Sequence, residues 1–532
     1  MIKKGLLATA ALASMLTMGA VTAQAKTFVY CSEGSPEGFT PALYTSGTSF
    51  DASSRNIFNR LVEFERGSTI MTPGLAESWE VSEDGLSYTF KLRPGVKFHT
   101  TKYFTPTREL NADDVLFSFN RQWKADHPYH KVSGGTYEYF SGYVSFPDIL
   151  ETIEKVDDLT VKFTLQKPDA AFISKIAIDF ASIHSAEYAQ QMMDAGSPEK
   201  FDQEPIGTGP FQFVSYQKDA FIRYQANEDY WSGRAPLDKL VFAITPDAQV
   251  AYQKLAAGEC HLVPYPNQAD LASIEANKDL TVDSQEGMNV GYLAFNTEKK
   301  PFDDKRVRQA LNYAMNKESI IKAVFQGAGN AAKNPLPPTL WGYNEEIQDY
   351  PYDPAKAKAL LAEAGVTNLS TNIWAMPVKR PYNPNARRMA ELIQADWANV
   401  GVDAEIVSME WGEYLSRSQK GDHDTVLLGW TADYPDPDNF LSLLNCASAK
   451  SGGNRARWCH KEFDDLFQEA VKVSDPEKRT QLYEQAQAVF KEEAPWVTVA
   501  HSVVHKAMSN KVVDFRIDPL GGHVFYGVDL EE

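Results

Sequence analysis

The sequence predicts an α/β fold of several lobes, on three observations. Short alternating strands and amphipathic helices succeed one another with no simple repeat, which is the pattern of layered α/β architectures. The length, 532 residues, exceeds what one core supports and suggests about three or four domains. Two Gly- or Pro-rich runs, Pro205-Ile206-Gly207-Thr208-Gly209-Pro210 and the stretch from Gly287 to Gly291, are candidate crossings between lobes.

The elements follow in order. Lys3 and Lys4 precede an uncharged, small and apolar stretch from Gly5 to Ala20, and Ala23-Gln24-Ala25 is a small-x-small cleavage site. Residues 1–25 therefore read as a secretory leader, with the mature chain starting at Lys26 and no cysteine there to take a lipid. Trp79 to Phe98 reads as a hairpin: Asp84-Gly85 is a tight-turn dipeptide, Tyr88, Phe90 and Leu92 alternate after it, and Arg93-Pro94-Gly95 stops that strand. Asn111-Ala112-Asp113-Asp114 opens a helix with acidic residues at its N-terminus. Thr160 to Leu165 alternates as a strand. From Asp303, the apolar residues Val307, Ala310, Leu311, Ala314 and Met315 follow a helical period. Asp353-Pro354 starts another helix that Gly365 ends, and a third runs from about Asn385 to Ala398.

Charge and motifs exclude several function classes. The net charge is −19, with Lys+Arg 52 against Asp+Glu 71, which disfavours nucleic acid and anionic lipid as partners. Gly34-Ser35-Pro36-Glu37-Gly38 has the wrong order for a nucleophile elbow. There is no H-E-x-x-H sequence, and Gly207-Thr208-Gly209 is followed by Pro210 rather than by a phosphate loop. His501 and His505 fall in a strand-like run, where four positions span about 13 Å, too far for one metal. No metal site and no cofactor is expected. Of four cysteines, Cys31, Cys260, Cys446 and Cys459, three pairings are possible in an oxidising compartment. The turn-forming Gly452-Gly453-Asn454 favours Cys446 with Cys459, leaving Cys31 with Cys260.

The run Pro73-Gly74-Leu75-Ala76-Glu77-Ser78-Trp79-Glu80-Val81-Ser82-Glu83-Asp84-Gly85, continuing through Phe90-Lys91-Leu92-Arg93-Pro94-Gly95-Val96-Lys97-Phe98, resembles the signature region of family 5 of the extracellular solute-binding proteins, which serve peptide and nickel ABC importers. Asp113-Asp114-Val115, the 205–211 run and Arg380-Pro381-Tyr382-Asn383-Pro384-Asn385 resemble it too, and the cysteine positions suit the pairing above. The resemblance covers essentially the whole mature chain. It implies a two-lobed periplasmic binding protein with three domains, of the type II, cluster C-like kind. Domain I would comprise 26–58, 208–285 and 504–532; domain II would be 59–207, and domain III 286–503. It further implies a monomeric periplasmic receptor that closes on a dipeptide or short peptide and delivers it to an inner-membrane permease, with a chemoreceptor as a further partner. Longer peptides, haem or nickel are the alternatives within the fold; a peptidase is the remote one, lacking a recognisable nucleophile or metal site.

Carried over by position, the peptide pocket comprises Thr45, Arg380, Pro381, Tyr382, Trp430, Thr431, Ala432 and Asp433. Ala432 stands where Gly is expected, and Tyr434-Pro435 follows Asp433, a pattern closer to oligopeptide binders. The residue types suit a free dipeptide. Arginine grips a carboxylate with a planar fork and stays charged, and aspartate accepts from an ammonium. Two extended residues span about 7 Å, so Arg380 and Asp433 held at a fixed separation select length, while Tyr382 and Trp430 wall the pocket.

Overall fold

The computed structural model of the protein describes residues 25–531. The expected leader, apart from Ala25, lies outside the described residues. The spine is a twelve-stranded sheet with the long strand Trp496–Ser509 at its middle. The first part of that strand pairs antiparallel with Asn289–Phe295, and the rest with Leu280–Glu286 and Leu262–Val263. On one side the sheet continues through Thr425–Thr431 and Leu369–Trp374 to Val402–Val407; on the other it runs through Thr27–Ser32, Lys239–Ile244 and Phe221–Ala226 to Phe211–Gln217. The chain thus passes twice between the two halves, at Gly287–Met288 and within Trp496–Ser509. The passages touch: Gly287 N–H donates to the Ser502 carbonyl at 2.8 Å. A Cβ at Gly287 would sit 2.8 Å from that oxygen, so the close approach requires glycine.

Separate hydrophobic cores flank these crossings. One draws its buried residues from Met288 to Ala500, with the half-buried Leu520 packed against them. A second is built almost wholly from Ala42 to Ile206, around a four-stranded sheet formed by Ala76–Val81, Ser87–Leu92, Thr160–Leu165 and Leu150–Asp157. A third packs Phe28, Tyr30 and Phe242 against Phe525 from the end of the chain.

Local signals explain the element ends. Ala76–Val81 and Ser87–Leu92 form the hairpin, turning at Gly85 with φ +68°. The second strand stops at Leu92, where Arg93-Pro94-Gly95 is expected to end it: Pro94 has no N–H for a ladder and Gly95 adopts φ +79°. Val96 and Phe98 are buried in the adjoining core instead. Asn111 caps Ala112–Trp123 by accepting from Asp113 N–H, and the Asp114 carboxylate accepts from Asn111 N–H in return. Asp353 and Asn385 cap Pro354–Glu363 and Ala386–Ala398. The helix expected from Asp303 runs over Lys305–Tyr313 with Asp304 as its cap; Ala314 and Met315 are buried just past its end. Cys31 is bonded to Cys260 and Cys446 to Cys459. His501 and His505 have different partners, the Asn289 carbonyl and Ser284 Oγ.

Candidate functional site

Between the halves of the sheet lies a cleft of about 1910 Å³. Its walls carry all eight residues singled out from the sequence: Thr45, Arg380, Pro381, Tyr382 and the run Trp430 to Asp433. Thr45 is exposed in the loop before the short helix Gly47–Ala52. The other seven belong to the half built from residues 288–500.

Two local devices position them. The first is a tight turn. Arg380 N–H donates to the Asn383 carbonyl at 3.1 Å and Asn383 N–H returns to Arg380 at 2.9 Å, with Pro381 where a turn favours a fixed φ. The turn is pressed on the sheet where Gly291 and Gly429 face each other across neighbouring strands. A Cβ on Gly429 would collide with the Tyr382 ring, and one on Gly291 with the Tyr382 carbonyl. The paired glycines therefore form a slot that fixes Tyr382 and, through it, the exposed Arg380. The Arg380 guanidinium lies beside the Tyr382 hydroxyl and 5.6 Å from the Trp411 ring centroid.

The second device is Asn439. Its side-chain oxygen accepts from Trp430 Nε1 at 2.9 Å and from Asp433 N–H at 3.0 Å, while its amide nitrogen donates to the Asp433 carboxylate at 3.3 Å. One buried amide thus orients both the tryptophan wall and the acid. From across the cleft, Tyr139 Oη donates to Asp433 at 2.8 Å, and the Tyr143 ring packs 5.2 Å from Trp430. Ala432 is buried, and its N–H donates to the Met288 carbonyl at the crossing.

Asp433 is half-buried and has no ion-pair partner among the described residues. Loss of hydration pushes its carboxyl up to about 6; the hydrogen bonds from Tyr139 and Asn439 pull the other way. Its unfolded value is near 3.8. In the ligand-free protein this group therefore adds stability as pH falls from above 6 toward 3.8, because the folded state binds the extra proton. Ligand binding has the opposite dependence. An ammonium ligand needs the carboxylate, so affinity is expected to be flat above pH 7 and to fall below pH 6, approaching about tenfold per pH unit. Glu33 in the same cleft is pushed up to about 7 by burial and by Asp51. Calorimetric titration at pH 5, 6 and 7 of wild type and Asp433→Asn isolates Asp433: a variant as pH-dependent as wild type would assign the effect elsewhere.

Sequence reasoning missed Tyr139, Tyr143, Asn439 and Arg455, all at the cleft or against its residues. Asn439 follows Pro435-Asp436-Pro437-Asp438, which reads as a polar turn. Arg455 stands in Asn454-Arg455-Ala456-Arg457, which reads as surface charge.

A fold of two lobes joined by crossing strands, with a polar cleft between them and its charged groups left open to a guest, defines a solute-binding protein. The chain belongs to the bacterial extracellular solute-binding proteins, family 5, whose middle-region model matches residues 71–452. It is 58% identical over 514 residues to a dipeptide-binding protein of Escherichia coli strain K12, covering 96% of each chain. It is 55% identical to heme-binding protein A of Haemophilus influenzae, over 95% of this chain and 92% of that one. Among solved structures it resembles the dipeptide binding protein from Pseudoalteromonas sp. SM9913 in complex with Met-Leu, with a TM-score of 0.87 and 40% identity over 95% of this chain and 100% of that one. Family membership makes it a binding protein rather than an enzyme.

Proposed function

We propose that the protein is a monomeric periplasmic receptor that captures free dipeptides by lobe closure and delivers them to an ABC importer. The observation that carries the reading is a pair of unsatisfied opposite charges on one cleft. Asp433 lacks a cation and Arg380 lacks a carboxylate among the described residues, and a zwitterionic dipeptide supplies both. The likeness to proteins named for dipeptide binding supports the ligand class. Domain I takes 26–58, 208–285 and 504–532, domain II 59–207, and domain III 286–503; the crossings at Gly287 and Ser502 are the hinge. Thr45 and Thr431 contribute polar contacts, while Pro381 and Ala432 shape the backbone that presents them. The family's role in import, together with the leader-like residues 1–25, supports a periplasmic location for the mature chain.

Closure and stability test this. A ligand that binds only the folded protein stabilises it by about 2.7 kcal/mol at a hundredfold excess over Kd, and it draws the ensemble toward the closed form. Saturating dipeptide should raise the melting temperature and contract the small-angle scattering profile. Superimposable profiles and an unmoved melting point would sink the trap mechanism.

A further inference from the structure

Six arginines line the cleft: Arg55, Arg60, Arg66, Arg380, Arg455 and Arg516. Four of them are paired with carboxylates, namely Arg55 with Asp51 and Asp179, Arg60 with Glu63 and Asp179, and both Arg66 and Arg516 with Asp514. Arg380 and Arg455 have no ion pair among the described residues. Arg380 is accounted for, on the reading above, by the ligand's terminal carboxylate. Arg455 is not.

Arg455 is half-buried and held in place. Its Nε donates to Ser418 Oγ at 3.2 Å and a terminal nitrogen donates to the Gly452 carbonyl. Both partners are neutral oxygens, and neither balances the charge. Burial lowers its affinity for its proton, yet a guanidinium keeps its charge in any protein environment. Tyr143 and Tyr292 lie within its field, and Tyr143 also feels Asp433. The nearby charges are the like-charged Arg457 and the acid Glu138, which makes no ion pair with it; Glu138 is exposed and accepts from Tyr143 Oη. A partly desolvated guanidinium with two donors used, aromatic neighbours and no counter-ion is the arrangement that a planar carboxylate completes.

We propose that Arg455 forms a second carboxylate subsite in the cleft, distinct from the one at Arg380. Its ligand is a carboxylate carried either on an acidic side chain of a dipeptide or on the C-terminus of a tripeptide. This rests on the dipeptide reading and deepens it: Asp433 and Arg380 recognise any dipeptide, whereas Arg455 ranks them.

Titration calorimetry of wild type and Arg455→Gln with Ala-Ala, Glu-Ala, Ala-Glu and tri-alanine tests it. Glutamine keeps a donor for the Gly452 carbonyl, and a thermal melt of the ligand-free variant checks its fold. Ala-Ala affinity should change less than threefold. At least one of the Glu-containing dipeptides should weaken by about ten- to a hundredfold if the side chain is the source, and tri-alanine by that factor if the chain end is. Wild type alone gives a second readout. If the side chain is the source, one of Glu-Ala and Ala-Glu should bind at least tenfold tighter than its Gln counterpart. Equal loss for Ala-Ala, or no selective loss for any acidic dipeptide or for tri-alanine, overturns the subsite while leaving the dipeptide reading intact. Failure of wild type to bind any of the four peptides overturns that reading and the subsite together.

Discussion

Asp433→Asn should weaken binding of a free dipeptide by about two to four decades, a loss of about 3–5 kcal/mol. Asparagine keeps the shape and can still accept from Tyr139, so the wall of the cleft should stand. On the proposed reading, what it removes is the charge that balances the ligand ammonium once the lobes have shut out water. The magnitude is large because the loss strands a desolvated charge rather than trimming a solvated contact. Chemistry on the ligand gives an independent reading of the same interaction. An N-acetylated dipeptide has no ammonium, so wild type should already bind it poorly, and Asp433→Asn should discriminate far less between free and acetylated forms. Titration of the four protein–ligand combinations measures the coupling directly. Unchanged affinity of the variant for the free dipeptide would mean that the ammonium is held elsewhere.

Breaking the Cys31–Cys260 bond with paired serines should destabilise the protein by about 5 kcal/mol, against about 3 kcal/mol for Cys446–Cys459. The difference follows from sequence separations of 229 and 13 residues, since a longer closed loop restricts the unfolded chain more. The long link also ties together two segments that reach the same sheet by different routes. Cys31 lies on the strand Thr27–Ser32, and Cys260 stands just before Leu262, which pairs with Tyr30. Denaturant melts of the two double-serine variants against wild type check the ranking. Equal losses, or a larger loss at Cys446–Cys459, would show that local strain or residual unfolded structure dominates over loop entropy.

What could be read in advance divides by range. Asp84-Gly85, the caps at Asn111, Asp353 and Asn385, and the strand at Thr160 are decided by neighbours a few residues apart, so their signals survive in a linear sequence. The central sheet is different: Thr27–Ser32 lies parallel to Lys239–Ile244, and no local pattern encodes a partner two hundred residues away. The site divides in the same way. Arg380 and Asp433 stood out because the motifs around them resemble a known family, not because of their spacing. The slot made by Gly291 and Gly429 for Tyr382 depends on three segments meeting, and each glycine alone resembles a strand irregularity. Tyr139 and Arg455 were hidden for a simpler reason: isolated aromatic and basic residues are common, and only the cleft shows which of them lack an alternative partner.

The contact between Gly287 and Ser502 has a consequence for how such a molecule could arise. The stretch between those two residues leaves and rejoins the rest of the chain at one hydrogen-bonded point, and the fully buried residues of its core all lie within it, with only Leu520 from outside packed against them among the described residues. To the remaining chain it is a loop whose ends already touch. The entropy of closing such a loop grows only with the logarithm of its length, so lengthening it into a whole lobe adds little penalty to the host. The second jaw of the trap is therefore, in construction, an insertion: a unit that a single recombination event could add to a smaller protein, exchange for one with a different cleft wall, or remove.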